Sequence, residues 1–426
     1  MTTIFAPSTG LPPAAIAIVR ISGPAAFAAA RTLAGTLPPS REARVRALRD
    51  PNTGDLLDRA MVLTFRGPAT ATGEDLVELH LHGGRAVVAA VESALANLPD
   101  VRRAEAGEFT RRALANGRID LAEAEGLGDL LTAETELQRR AAIRQADGTL
   151  SRQIAAWRDR LVQLAAQVEA ALDFADEADV PQLLIDRVRG DAAEIAREIA
   201  ATLSAPTVER LRDGIHVVIA GPPNSGKSTL LNALVRREAA IVSPIAGTTR
   251  DRIEVAIARQ GIPFVMTDTA GLRADTDDII EKTGIDRAKT AIATADAVLW
   301  LGDSEPPDTS MLWVHARSDL PDRQVRPAGA VAAVSAMDAT TIENLWRVIV
   351  DRCRTLLPVV NEIALNHRQA QHCRRALEAL NIGDVTDELV LAEALRAAHN
   401  ALGAVTGHVG VEAMLDALFR NFCIGK

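Results

Sequence analysis

A chain of 426 residues has room for about three domains, each burying its own core, which excludes a lone small module. Its 47 Lys and Arg against 56 Asp and Glu give a net charge of −9, excluding general adhesion to nucleic acid; any RNA contact must use local patches. Only Lys227, Lys282, Lys289 and Lys426 are lysine, the other 43 basic residues being arginine, so a retained lysine asks for a reason.

The opening Met1–Gly23 has no basic segment before its apolar stretch, and Arg20 interrupts that stretch, so it reads as neither signal peptide nor membrane span. No run of about 18 uncharged apolar residues occurs elsewhere. Cys353, Cys373 and Cys423 show no finger-like spacing, which points to a reducing compartment without disulfides or structural zinc. The expectation is a cytoplasmic protein with no membrane association.

Residues 1–117 carry short apolar runs (Ala14–Ile21, Met61–Phe65) and the alternating Leu76–Leu81, the pattern of a small α/β domain. Residues 118–212 place apolar side chains three and four apart, as at Trp157, Leu161, Leu164, Val168 and Leu172, which predicts bundle helices with breaks near Pro181 and Pro206. Over residues 213–356 continuous apolar runs (Ile215–Ala220, Phe264–Met266, Ala297–Leu301, Leu312–Val314, Val331–Val334) alternate with helical stretches, as in a parallel sheet buried on both faces. Helical texture returns over 357–426. The predicted fold is therefore multidomain, α/β and all-α, with an α/β unit inserted into a helical domain.

Within the inserted unit, Gly221-Pro-Pro-Asn-Ser-Gly226-Lys227-Ser228 follows the strand Ile215–Ala220 and opens the helix former Thr229–Leu234. Strand, glycine loop and helix are the setting of a P-loop. Its N–H groups and helix N-terminus face phosphates, Lys227 reaches the outer phosphates, and Ser228 holds Mg²⁺. A compact ammonium suits that slot better than a planar guanidinium.

Downstream, Gly247-Thr248-Thr249-Arg250-Asp251 precedes a predicted hairpin whose second strand ends in Asp268-Thr269-Ala270-Gly271. An Asp ending a strand can hold the Mg²⁺ shell, a following Gly can approach a γ-phosphate, and a loop Thr can complete the metal site. Together these resemble the TRAFAC-class GTP-binding proteins. The residue after Gly271 is Leu272, which cannot orient water, so another polar group must. Glu281 is one candidate; it equally reads as part of a solvated acidic loop with Asp275, Asp277 and Asp278. Guanine recognition rests on Asp319, with the stem of Arg317 stacking on the base and Ser335-Ala336 forming the last loop. Ala316 stands where that class usually has Asn, so weakened base choice is expected.

The loop GPPNSGKS, the switch IAGTTRD, the second switch DTAGLR followed by EKTGIDRA, and the tail Phe422-Cys-Ile-Gly-Lys426 resemble the MnmE (TrmE) tRNA-modification GTPase family. So do Ile18–Gly23, Thr72–Glu78 and Gly107–Thr110, so the resemblance spans the chain.

It implies an N-terminal folate-binding and dimerisation domain, a central helical bundle and an inserted Ras-like P-loop GTPase. The nucleotide site would comprise Asn224, Ser225, Gly226, Lys227, Ser228, Thr229, Ser243, Pro244, Ile245, Ala246, Gly247, Thr248, Thr249, Asp268, Thr269, Ala270, Gly271, Asp319, Ser335 and Ala336. Mg²⁺ would fall to Ser228 and Thr249, and an activating K⁺ to Asn224, Ser243, Ile245 and Thr248. Lys227 and Glu281 would be catalytic.

The resemblance also implies a reduced folate (5-formyl- or methylene-tetrahydrofolate) held by Arg20, Glu78, Arg118 and Lys426. Cys423 is either a nucleophile toward uridine or a small packed residue. The implied assembly is a homodimer joined by an FAD-dependent GidA (MnmG) protein, FAD residing only in that partner, acting on C5 of the wobble uridine of tRNA. Rival readings are a ribosome-assembly GTPase, which would carry a GxxG module or a second G domain not found here, and a regulatory switch without a part in modification chemistry.

Overall fold

The computed structural model describes residues 2–173, 180–236, 254–269, 289–359, 362–383, 387–407, 418–419, 422 and 425, with residues 173 and 180–183 described by backbone alone. The chain divides into two compact units, one of residues 1–131, 145–160 and 399–426, the other of 132–144 and 161–398.

The first unit is built on a six-stranded sheet ordered β3-β4-β5-β2-β1-β6, comprising β1 (Thr3–Pro7), β2 (Ile16–Ser22), β3 (Arg44–Arg49), β4 (Leu56–Phe65), β5 (Leu76–His82) and β6 (Val101–Arg103). Period-two alternation decides its faces. Val19, Ile21, Val77, Leu79, Leu81, Ala60 and Val62 are buried in one core with α1 (Ala26–Ala34) and α2 (Arg85–Ala96). The intervening positions of β2 and β5 put Arg20 directly opposite Glu78 and Ile18 opposite His80 on the other face. Helices α3 (Glu108–Ala115) and α4 (Leu121–Thr132) follow. Phe419 packs where Gly107 leaves no Cβ, and Phe422 lies beside Gly128.

Helices α5 (Glu136–Ala146), α6 (Thr149–Asp173) and α7 (Val180–Ser204) come next. Of the five positions expected to face a bundle core, Trp157, Leu161, Leu164 and Val168 are buried, while Leu172, near the end of α6, is only half-buried. The two prolines act as their chemistry dictates. Pro181 stands in the first turn of α7, where its missing N–H costs nothing, and α7 ends two residues before Pro206. A single turn, α8 (Glu209–Arg212), then leads into the second sheet.

The second sheet runs β12-β11-β10-β7-β9-β8, comprising β7 (Ile215–Ala220), β8 (Glu254–Arg259), β9 (Ile262–Asp268), β10 (Ala297–Trp300), β11 (Leu312–Ala316) and β12 (Ala332–Val334). All neighbours are parallel except the hairpin β8–β9. Continuous apolar runs made these strands legible as doubly buried, and Val217, Ile219, Phe264, Met266, Leu299 and Val314 share one core with α9 (Lys227–Val235) and α10 (Ala339–Arg354). The Phe264 and Trp346 rings meet at 5.4 Å. β7 has β9 on one side and β10 on the other, so strand order switches at its C-terminal end. An open α/β sheet presents its binding crevice at such a point. Helices α11 (His367–Leu380) and α12 (Glu388–Val405) complete the fold, with α11 packed along α7.

Candidate functional site: a phosphate loop at the strand switch point

The loop after β7 needs three unusual backbone positions. Gly221, Asn224 and Gly226 have φ of 147°, 61° and 95°, values that glycine adopts freely and Asn tolerates. A Cβ on Gly221 would sit 3.1 Å from Ser225 Oγ and 3.2 Å from the Leu301 backbone. Glycine there is therefore a packing requirement as well as a conformational one. Gly226 caps α9, whose first N–H groups and positive dipole end open toward the loop.

Lys227 is buried, and its ammonium donates to Pro222 O at 2.7 Å and Gly221 O at 3.1 Å. Ser228 Oγ donates to Asp268 Oδ2 at 2.5 Å, so β9 ends with its carboxylate against the first turn of α9. Asp268 is fully buried. Thr269 is pinned inward, its Oγ1 donating to Ile219 O at 2.9 Å. Among the described residues Ser225 Oγ is buried without a hydrogen-bond partner, an unmatched polar atom inside the loop. A cavity of about 860 Å³ opens beside these groups, lined by Gly221, Asn224, Lys227, Thr269, Trp300 and Asp303 among others. Oxygen donors, buried N–H groups and one ammonium can take an anion with a hard divalent cation.

Two further loops reach this end of the sheet. After β11, Arg317 has φ of 58°, and its Cγ lies 3.8 Å from where a Gly226 Cβ would be. Asp319 follows in an exposed position. Ser318 N donates to Val334 O at 3.1 Å, bringing Asp319 near the Ser335-Ala336 turn, where Ser335 Oγ accepts from Met337 N. Asn224, Ser225, Gly226, Lys227, Ser228, Thr229, Asp268 and Thr269 thus meet at one strand end, with Asp319, Ser335 and Ala336 on adjacent loops. Ser243, Pro244, Ile245, Ala246, Gly247, Thr248, Thr249, Ala270, Gly271 and Glu281 lie outside the described residues.

In the N-terminal unit, Arg20 Nη2 and Nε donate to Glu78 Oε1 at 2.9 and 3.2 Å. The second carboxylate oxygen of Glu78 contacts His80 Nε2 at 3.2 Å, and the Arg20 guanidinium stands 5.9 Å from the Phe109 ring centroid. Neither His80 nor Phe109 was singled out from sequence. His80 was detectable, because it lies two residues after Glu78 on one strand and so shares its face. Arg118 bonds Thr70 O at 3.1 Å instead of joining this pair. Gly425 docks beside β1: its carbonyl accepts from Ser8 Oγ at 2.8 Å, and with φ of 98° any Cβ would fall 1.9 Å from Pro7 O. Lys426 and Cys423 lie outside the described residues. Burial pushes the Cys353 and Cys373 thiols up to about 12, which leaves both protonated and unreactive near neutral pH.

Comparison with known proteins resolves the family. A model described as the MnmE helical domain matches residues 121–423, and one described as the GTP-binding protein TrmE N-terminus matches residues 3–118. The tRNA modification GTPase MnmE of Erythrobacter litoralis is 53% identical over the full length of both chains. That of Rhizorhabdus wittichii is 53% identical over 100% of this chain and 96% of its own, and that of Zymomonas mobilis 50% over 100% of both. The chain belongs to the MnmE family. Membership makes it a tRNA modification GTPase, which hydrolyses GTP and binds GTP with Mg²⁺. Among solved structures it is similar to the G domain of the T. maritima FeoB iron transporter, covering 33% of this chain and 98% of that one at 22% identity and a TM-score of 0.24, too low to add to the fold. Among the described residues no helix is long and apolar enough to cross a membrane.

Proposed function

We propose that the protein is a K⁺-activated GTPase of the cytoplasm which, as a homodimer with an FAD-dependent GidA/MnmG partner, modifies C5 of the wobble uridine of tRNA. A reduced folate supplies the carbon of the added aminomethyl or carboxymethylaminomethyl group. In this reading residues 1–117 bind folate and dimerise, 213–356 form the GTPase, and 118–212 with 357–426 form the helical domain.

The observation that carries the nucleotide part is the Ser228–Asp268 contact at 2.5 Å. It brings the hydroxyl at the helix start and the carboxylate at the strand end to one point, an all-oxygen donor pair that suits Mg²⁺. Ser228 and Thr249 would hold Mg²⁺, and Asn224, Ser243, Ile245 and Thr248 would hold K⁺; each ion supplies positive charge against the phosphates, K⁺ where an arginine finger would otherwise stand. Lys227 exchanges its loop carbonyls for outer phosphate oxygens. The N–H groups of the loop and of α9 would neutralise the remaining charge, Asp268 would help hold Mg²⁺, and Glu281 would orient the attacking water, a task Leu272 cannot perform. Asp319 accepts from the guanine edge while the Arg317 stem covers the base.

For folate, the Arg20–Glu78–His80 cluster offers donors and acceptors on a half-buried sheet face beside Phe109, a chemistry that suits a polar heteroaromatic ring. Gly425 docks on β1, the strand beside β2, and Lys426 is the next residue in sequence.

GTP turnover measured in K⁺ and in Na⁺ tests the ion. The expected result is faster turnover in K⁺, and Glu281→Ala should lower kcat by roughly 100-fold with little change in KM. Equal rates in the two salts would remove K⁺ from the site.

A further inference from the structure

We infer that Arg323 is a positioning residue for guanine selection, securing through the backbone of Ala316 the loop that a side-chain amide at 316 would otherwise secure. The inference rests on the nucleotide-site reading above. Ala316 ends β11 with its methyl group buried, and a methyl can hold nothing by hydrogen bonding. Its carbonyl, however, accepts from Arg323 Nε at 2.9 Å, and Nη1 of the same guanidinium donates to Asp303 Oδ1 at 2.5 Å. The clamp is reciprocal, because His315 Nε2 donates back to Arg323 O at 2.8 Å. The Arg323 side chain, at Ala316, and its backbone carbonyl, at His315, therefore fasten the short 3₁₀ turn Pro321–Arg323 to two consecutive residues at the end of β11.

The other end of the clamp reaches the phosphate loop. Asp303 follows β10 in a segment that lines the same cavity as Gly221 and Lys227. Leu301 N donates to Ala220 O at 2.8 Å, and Trp313 Nε1 donates to Gly302 O at 2.9 Å, so that segment is fixed on both sides. Between the two fastenings lie Arg317, with its stem beside Gly226, and Asp319. The Arg323 side chain is 13% exposed and that of Asp303 72%, so the bond to the Ala316 carbonyl should carry more of the effect than the solvated ion pair. Loosening 316–323 would weaken the base contacts and leave the phosphate contacts, which guanine and adenine nucleotides share.

The test is competition of GDP and ADP against a fluorescent GDP analogue on the full chain carrying Arg323→Gln, Asp303→Asn, or Arg323→Gln with Ala316→Asn. Arg323→Gln should lose roughly tenfold in GDP affinity while ADP changes by less than about twofold; Asp303→Asn should lose about twofold to threefold in GDP affinity. Adding Ala316→Asn to Arg323→Gln should restore most of the GDP affinity. Equal losses for both nucleotides, unchanged GDP binding, or no restoration by Asn would overturn the inference. If the unsubstituted chain bound neither nucleotide, the nucleotide-site reading would fail with it; if it bound both equally, there would be no guanine selection for Arg323 to support.

Discussion

Lys227 is one of four lysines among 47 basic residues, and its surroundings explain its survival better than composition does. Its ammonium sits on two carbonyls of a single tight loop, and buried as it is, a guanidinium of greater width would have to displace the Gly221–Pro223 backbone. Lys227→Arg should therefore lower kcat/KM for GTP by roughly 100-fold, read by steady-state phosphate release. The same substitution at the exposed Lys289 should change nothing in that assay. A second residue-scale prediction concerns pH. Burial pushes the Glu108 carboxyl up, but hydrogen bonds from Arg102, the Glu105 backbone and Arg112 outweigh it and hold the group below its usual 4.5. A depressed carboxyl stabilises the fold above its unfolded pKa, and that contribution is lost as pH falls through the folded value. Glu108→Gln should thus lower the melting temperature at pH 7 and narrow the gap to the unsubstituted chain as pH drops below about 4.5.

At the scale of elements, the strand–loop–helix from Ile215 to Val235 was the most legible piece, because each part carries its own physical requirement: an apolar run, glycines at positive φ and a helix former after the cap. The hairpin β8–β9 was equally readable from the Gln260-Gly261 turn, where both residues take positive φ. What stayed hidden were pairings across distant sequence. Nothing local marks Arg323 as the partner of Ala316, or Glu108 as the hub joining Arg102 and Arg112. The capping box of α11 was likewise not singled out. Asn366 accepts from Gln369 N at 2.9 Å while Gln369 Oε1 accepts from Asn366 N at 3.0 Å, both residues being buried. Asn366→Ala should destabilise by about 1–2 kcal/mol in urea unfolding, leaving GTP affinity unchanged.

For the molecule as a whole, texture alone distinguished the sheets: alternating strands near the N-terminus became a sheet with its main core on one face and a small cluster of Ile4, Ala6, Ala104 and Phe109 on the other, and continuous ones after residue 213 a doubly buried sheet. The place of Gly425 beside β1 was not readable, because it depends on a contact between residues 417 positions apart, Ser8 and Gly425. Family membership ties this architecture to tRNA modification, and the proposed coupling makes nucleotide hydrolysis at the Gly221–Ser228 loop a condition for that chemistry. Mass spectrometry of tRNA nucleosides, from a strain lacking the endogenous protein and supplied with either this chain or its Lys227→Ala variant, tests the coupling most directly. The modified wobble uridine should return with the unsubstituted chain and stay absent with Lys227→Ala at equal protein levels; full modification by a variant whose GTP turnover is lost would contradict it.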